Sequence, residues 1–234
     1  MIPWQTLGEA KIPGEASPLV LLQHDEEFVI RIGTRALMSS TEHGSEEALA
    51  ELACARLADR PDARVLIGGL GMGFTLGAAL KHLPVTARVT VAELIPAVVE
   101  WNRGPLAHLA GNPLADPRVV VQVGDVTGTI RSGRAAFDAI LLDVDNGPQG
   151  LTRATNDRLY SGSGLQVAFA ALRDGGVFGV WSVEPDPAFT KRLAQAGFQV
   201  EEEVVRARVS KGGRHTLWLA TRKAPAEMVM RPAR

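Results

Sequence analysis

Four short stretches of this chain carry residues that could do chemistry, and each follows an apolar, β-prone run. The first is Gly69-Leu70-Gly71-Met72-Gly73, after residues 65–67. Glycines let a backbone turn sharply and approach a ligand closely. A dinucleotide fingerprint would need its third glycine at position 74 or 76, but Phe74 and Leu76 stand there, which weighs against a pyrophosphate. The second is Glu93, followed by Leu94, after residues 88–92. A carboxylate there can accept hydrogen bonds from both hydroxyls of a ribose. The third is Gly124-Asp125-Val126, after residues 119–123. Asp125 could accept from an adenine amino group, and its competing role is a helix N-cap. The fourth is Asp143-Val144-Asp145-Asn146-Gly147-Pro148, after residues 138–142. Asp143, Asp145 and Asn146 put three short polar side chains at the expected reaction centre, although Asn-Gly and Pro also suit an ordinary turn. Each stretch alone is a weak signal. A glycine loop, an acid, an acid and an acid cluster at successive strand ends together describe a nucleoside site with reactive groups beside it.

The elements that must position these groups follow from residue 64 onward. Short Val/Ile/Leu runs at 65–67, 88–92, 119–123, 138–142, 177–181, 199–208 and 217–220 read as seven strands. Helical patterns at 75–82, 96–103, 165–172 and 188–196 separate most of them. Continuous apolar strands alternating with helices imply a parallel sheet covered on both faces. Ser210-Lys211-Gly212-Gly213-Arg214 leaves room only for a hairpin turn, so the sheet should end in an antiparallel strand. Ahead of this, residues 1–18 read as an irregular lead-in. The runs at 19–23 and 28–32 around His24-Asp25-Glu26-Glu27 read as a hairpin. Ser45 before Glu46-Glu47 reads as the N-cap of a helix ending near Ala58. The expected organisation is an N-terminal hairpin and helix over 1–60, a Rossmann-like α/β domain over 61–223 and a tail over 224–234.

Composition narrows the function classes. The chain has 234 residues, 46% hydrophobic and 22% charged, enough for a sizeable core. A net charge of −1 offers no basic field for nucleic acid or an acidic membrane, so neither partner is expected. The single cysteine, Cys54, cannot form an internal disulfide and reads as a small buried apolar residue. No apolar run reaches the roughly 18 residues of a membrane span, and the first residues do not resemble a signal peptide. A cytoplasmic protein is expected. His24, His43, His82, His108 and His215 are scattered without ligand spacing, so no metal is expected. No nucleophile elbow or Ser-His-Asp arrangement is visible.

Seven strands with a terminal antiparallel hairpin resemble the class I methyltransferase fold. Within that class, residues 19–222 resemble the spermidine synthase family of aminopropyltransferases. The stretch from Val65-Leu66-Ile67 to Lys81-His82 resembles the family's first strand, glycine loop and helix. Ala92-Glu93 resembles its ribose-binding acid, Asp116-Pro117-Arg118-Val119 and Gly124-Asp125 its third strand and adenine-binding acid, and Phe137-Asp138 through Asp143 the strand ending in its catalytic aspartate. The resemblance implies that Gly69, Gly71, Met72, Gly73, Glu93, Leu94, Gly124, Asp125, Val126 and Asp143 bind an adenosyl sulfonium. Asp143 would handle the acceptor's proton, with Asp145 and Asn146 orienting the acceptor. It also implies a homodimer through the N-terminal hairpin. Tyr160, Trp181 and Glu184 are candidates for the acceptor wall, with core packing the competing role for Tyr160 and Trp181.

The chain departs from the family at informative places. Met72 stands where the family has an Asp that pairs with the donor's ammonium, and Asn146 stands where it has a second catalytic-loop acid. The polyamine-holding Gln and Tyr-x-Glu have no counterpart, because the corresponding region reads Leu37-Met38-Ser39-Ser40 and Glu47-Ala48-Leu49-Ala50. An aspartate near the carboxylate of ordinary S-adenosylmethionine would cost on the order of 4 kcal/mol at about 4 Å and an effective dielectric near 20. Replacing it with Met removes that repulsion. Ordinary S-adenosylmethionine, methyl transfer and a small non-polyamine acceptor are therefore expected. The alternatives are aminopropyl transfer from decarboxylated S-adenosylmethionine and a non-catalytic nucleoside-binding protein.

Overall fold

The computed structural model describes residues 3–14, 16–144, 148, 158–207 and 212–223. Two sheets share the molecule. The first is a four-stranded antiparallel meander, β1 (Gln5–Ala10), β2 (Leu19–His24), β3 (Glu27–Ile32) and β4 (Arg35–Ser39). The expected hairpin is its central pair, with Leu19 opposite Ile32 and His24 opposite Glu27. The flanking strands are additions. β1 lies in the expected lead-in, where its largely exposed pattern gives little periodic signal.

The second sheet has the order β10-β11-β9-β8-β5-β6-β7. Its strands are β5 (Arg64–Gly68), β6 (Arg88–Glu93), β7 (Val119–Val123), β8 (Phe137–Leu142), β9 (Leu172–Ser182), β10 (Phe198–Arg206) and β11 (Arg214–Arg222). β5 through β9 pair in parallel, and β11 runs antiparallel to both β9 and β10. The expected seven-stranded Rossmann-like layout is therefore present. The reversed strand is inserted one place in from the edge, and β10 forms the edge itself.

Helices cover both faces. α1 (Gly44–Ala55) and α2 (Phe74–His82) lie on one face. Their side chains join Leu21, Phe28, Ile67, Leu141 and Leu217 in one buried cluster that also takes in the N-terminal sheet. α5 (Gly162–Ala171) and α6 (Pro187–Gln195) contribute to a second cluster on the other face, with Leu142, Phe178, Val180 and Trp218. Alternation along a strand sends neighbours to opposite faces, so Leu141 joins the first cluster and Leu142 the second. α2 is buried over Phe74–Leu80, which suits a helix apolar all round. α3 (Pro96–Arg103) begins with Pro at its first turn, where the missing N–H is not needed.

At the end of the sheet away from the glycine loop, Asp138 is 2% exposed and fully engaged. It accepts from Arg60 Nη1, from the Arg64 backbone N–H at 2.8 Å and from Arg173 Nη1 at 3.1 Å. This clamp ties the α1–β5 connection to β8 and β9, and it satisfies a buried charge that would otherwise be costly.

Candidate active site

The sheet order reverses at β5, whose neighbours are β6 on one side and β8 on the other. Ligands of open α/β sheets sit beyond the carboxyl ends of strands at such a point. Glycine loop and Asp143 follow β5 and β8, so both lie there. Gly69 has φ +87, and a Cβ there would collide with the Asp143 carbonyl oxygen. The loop therefore lies tight against the end of β8. Met38 of β4 packs over Gly71 from the N-terminal sheet. Asn102 holds the loop from α3, donating to the Gly71 carbonyl at 2.8 Å and the Val98 carbonyl at 2.9 Å.

Glu93 is buried at the end of β6. The Leu70 N–H donates to its Oε2 and the Ile95 N–H to its Oε1, each at 2.8 Å. The carboxylate thus fastens the glycine loop as well as facing the site. Leu94 is half-buried against the core. Asp125 is exposed and caps α4 (Val126–Ser132), accepting from the Thr127 N–H at 2.8 Å. The helix cap weighed from the sequence is therefore present, and the other carboxylate oxygen has no protein donor among the described residues. Gly124 faces open space, and Val126 is buried against Gly68.

Asp143 accepts a hydrogen bond from the Thr75 hydroxyl at 2.8 Å. Burial drives its carboxyl up to about 6, and the Thr75 hydrogen bond only partly offsets this. A second acid feels its charge. Glu46, in the first turn of α1, is 5% exposed. Burial, and then the charge of Asp143, push its carboxyl up to about 7, against the Ser45 hydroxyl bond at 2.6 Å. Neither carboxyl has an ion-pair partner among the described residues.

Ser45 thus corrects one expectation. His43, not Ser45, occupies the N-cap, and the Ser45 hydroxyl is turned to Glu46. A signal for Glu46 did exist in the sequence: Glu46, Leu49, Ala50 and Ala53 fall at helical spacing on the buried face of α1.

Aromatic rings extend this face. His43 stacks on Phe74 with centroids 4.1 Å apart, and its Nδ1 lies 3.2 Å from Glu47. Trp181 stacks on His215 at 4.7 Å and is 8% exposed, with an indole N–H that has no acceptor among the described residues. Burial lowers the His215 pKa, with Glu42 opposing. Other expected residues fall elsewhere. Tyr160 is buried in the opposite-face cluster, edge-on to Phe189 at 5.5 Å, so packing accounts for it. Glu184 is exposed on the turn after β9, where its backbone pairs with Ser182. Asp145 and Asn146 lie outside the described residues. Met72 is fully buried in the core.

A doubly wound seven-stranded sheet with a glycine loop and strand-end acids at its switch point defines the Rossmann-like methyltransferase fold. The chain belongs to the spermine/spermidine synthase domain family, whose model matches residues 42–209. It is 32% identical over 119 residues to the polyamine aminopropyltransferase of Korarchaeum cryptofilum, a match covering 51% of this chain and 35% of that protein. It is 30% identical over 129 residues to that of Bacillus subtilis, covering 55% and 44%. The matched stretches thus span less than half of these relatives. Spermidine synthase from Thermotoga maritima superposes with a TM-score of 0.74 at 18% identity, over 94% of this chain and 74% of that one. The O-methyltransferase TomG from Streptomyces achromogenes superposes with a TM-score of 0.55 at 21% identity, over 77% and 80%. Both structural likenesses concern the fold.

The family match and the aminopropyltransferase relatives overturn the expectation of methyl transfer. The charge argument behind it failed for a structural reason. It counted the missing acid at position 72, whose Met side chain is part of the core, and did not see Glu46, which brings an acid to the site from another element.

Proposed function

We propose that this protein transfers an aminopropyl group from decarboxylated S-adenosylmethionine to a small amine. The carrying observation is the two acids Glu46, which is buried, and Asp143, which is half-buried; neither has a cationic partner among the described residues. A site with two carboxyls and no cation among its described residues favours a positively charged substrate. Family membership supports the same reading.

In this reading the glycine loop admits the nucleoside, Glu93 accepts from the ribose hydroxyls and Asp125 from the adenine amino group. Asp143 takes a proton from the acceptor's ammonium. The freed lone pair attacks the aminopropyl carbon bound to sulfur, forming an N–C bond. The C–S bond breaks with its electron pair staying on sulfur, which leaves methylthioadenosine. Sulfonium displacement needs little covalent help, so alignment of nucleophile, carbon and sulfur carries most of the acceleration.

Incubation with decarboxylated S-adenosylmethionine and putrescine or spermidine tests the reading. Methylthioadenosine formed in step with a lengthened polyamine is the expected result. Asp143→Asn should lower turnover at least about 100-fold while methylthioadenosine binding stays within a few-fold. No product with any di- or polyamine would refute the proposal.

A further inference from the structure

The structure assigns β7, an open edge of the seven-stranded sheet, as a pairing surface for a second copy of this chain. β7 ends the strand order and pairs only with β6 among the described strands. The Val89 N–H donates to the Arg118 carbonyl at 2.9 Å, and the Gly124 N–H to the Glu93 carbonyl at 2.8 Å. A strand turns the backbone groups of alternate residues to the same neighbour. Residues 118, 120, 122 and 124 therefore direct theirs at β6, and Val119, Val121 and Val123 direct theirs outward. The Val119 N–H is taken by the Asp116 carbonyl at 3.0 Å. The other outward groups, the N–H of Val121 and Val123 and the carbonyls of all three valines, have no partner among the described residues.

Unpaired strand edges are normally blunted by charge, by a bulge or by proline. The other edges of the two sheets follow this rule. β10 exposes Glu201, Glu202, Glu203 and Arg206, and β1 and β4 each carry a register shift. β7 does not. Its residues, Val119-Val120-Val121-Gln122-Val123, include no charge and no proline, and their register with β6 is unbroken. Val120 and Val123 are 58% and 57% exposed.

A second copy satisfies this edge about a two-fold axis. With the whole strand overlapped antiparallel, Val121 faces Val121 of the other copy, and Val119 faces Val123. The outward groups then meet. The two Val121 residues exchange a pair of hydrogen bonds, and each Val123 N–H reaches a Val119 carbonyl, so the engaged Val119 N–H is not needed. Val119, Val121 and Val123 share one face of the sheet, which joins six valines in a row across the axis. On the other face Val120 meets Gln122. No like charges oppose each other, so the edge is complementary to itself in backbone and in side chain, and this singles out a second copy as the occupant. The surface is separate from the N-terminal hairpin. A five-residue ladder is small beside the roughly 1,600 Å² of a standard interface, so association in the micromolar range is expected.

Sedimentation equilibrium of the full chain across the micromolar range, with amide hydrogen exchange alongside, tests the assignment. A step that doubles the mass should appear, and exchange at the Val121 and Val123 amides should slow as concentration rises. Val123→Pro removes two of the four ladder hydrogen bonds and spares the pairing with β6, because that N–H points outward. It should weaken the step about 10-fold. Val120→Lys should weaken it as well, and Gln122→Glu added to the same chain should restore it, since each introduced cation then faces an introduced carboxylate across the axis. Both of these positions are exposed, so the charge-swapped chain keeps its fold. A wild type of constant mass over this range would overturn the inference. So would a doubling that neither Val123→Pro nor Val120→Lys changes, because it would place the contact elsewhere, as at the N-terminal hairpin. Every readout is taken without substrate, so the outcome is independent of the proposed amine transfer.

Discussion

Glu93 fastens the glycine loop and, in the proposed reading, also holds the ribose, so its substitution tests that assignment. Glu93→Gln removes the charge and turns an amide NH2 toward either the Leu70 or the Ile95 N–H, both of which now donate to it. Affinity for methylthioadenosine should fall about 10- to 100-fold, in keeping with about 1.5–3 kcal/mol for a hydrogen bond to a charged group. Calorimetry giving unchanged affinity would remove Glu93 from the ribose site. The acid pair predicts a pH effect on stability as well. Glu46 and Asp143 are raised from 4.5 and 3.8 to about 7 and about 6, so the folded protein holds these protons more tightly than the unfolded chain. Their stabilisation is complete at acid pH, below the ordinary carboxylate values, and is lost as pH rises through the folded values. Between about pH 4 and 8 the wild-type Tm should drop relative to that of Glu46→Gln by a few degrees. Parallel Tm curves for the two proteins would contradict this.

At the scale of elements, the loop after β5 works because its backbone is positioned from three sides. Asn102 of α3 holds the Gly71 carbonyl, Met38 of β4 packs over Gly71, and the end of β8 lies against Gly69. Gly69→Ala would place a methyl against the Asp143 carbonyl at a positive φ, with no flexible side chain able to yield. A loss of about 2–4 kcal/mol in urea denaturation is expected, together with loss of methylthioadenosine binding. Wild-type stability in that variant would mean that the loop has slack the structure does not show. The same elements explain what was legible in the sequence. β5, β6 and β8 are short, apolar and buried, so composition alone marks them. β1 and β4 are half-exposed strands whose place depends on their partners β2 and β3, and α4 has only seven residues.

Over the whole molecule, the N-terminal sheet and the α/β sheet are joined by shared side chains. Leu21, Phe28 and Ile30 lie in one cluster with Leu49, Ile67 and Leu141, and β1 passes so close to Trp101 of α3 that a Cβ at Gly8 would collide with the indole. A chain built this way should unfold as one unit. Urea transitions followed by tryptophan fluorescence and by far-UV circular dichroism should coincide. A separate early transition in fluorescence, to which Trp4 and Trp101 at the N-terminal sheet contribute with Trp181 and Trp218, would show that sheet to be an independent layer.

The sequence by itself determined the doubly wound sheet and the order of its strand-end groups. Hydrophobic period, glycine placement and acids such as Glu93 and Asp143 are local properties, written within a few residues of one another. Only the tertiary structure decided which side chains share the site. Burial, not spacing, sends Met72 and Tyr160 into the core, and packing of α1 across β8 brings Glu46 to Asp143 from nearly a hundred residues away in the chain. Charge balance at a site is a sum over elements that meet only on folding, so substrate preference read from one loop omitted the acid that another element supplies.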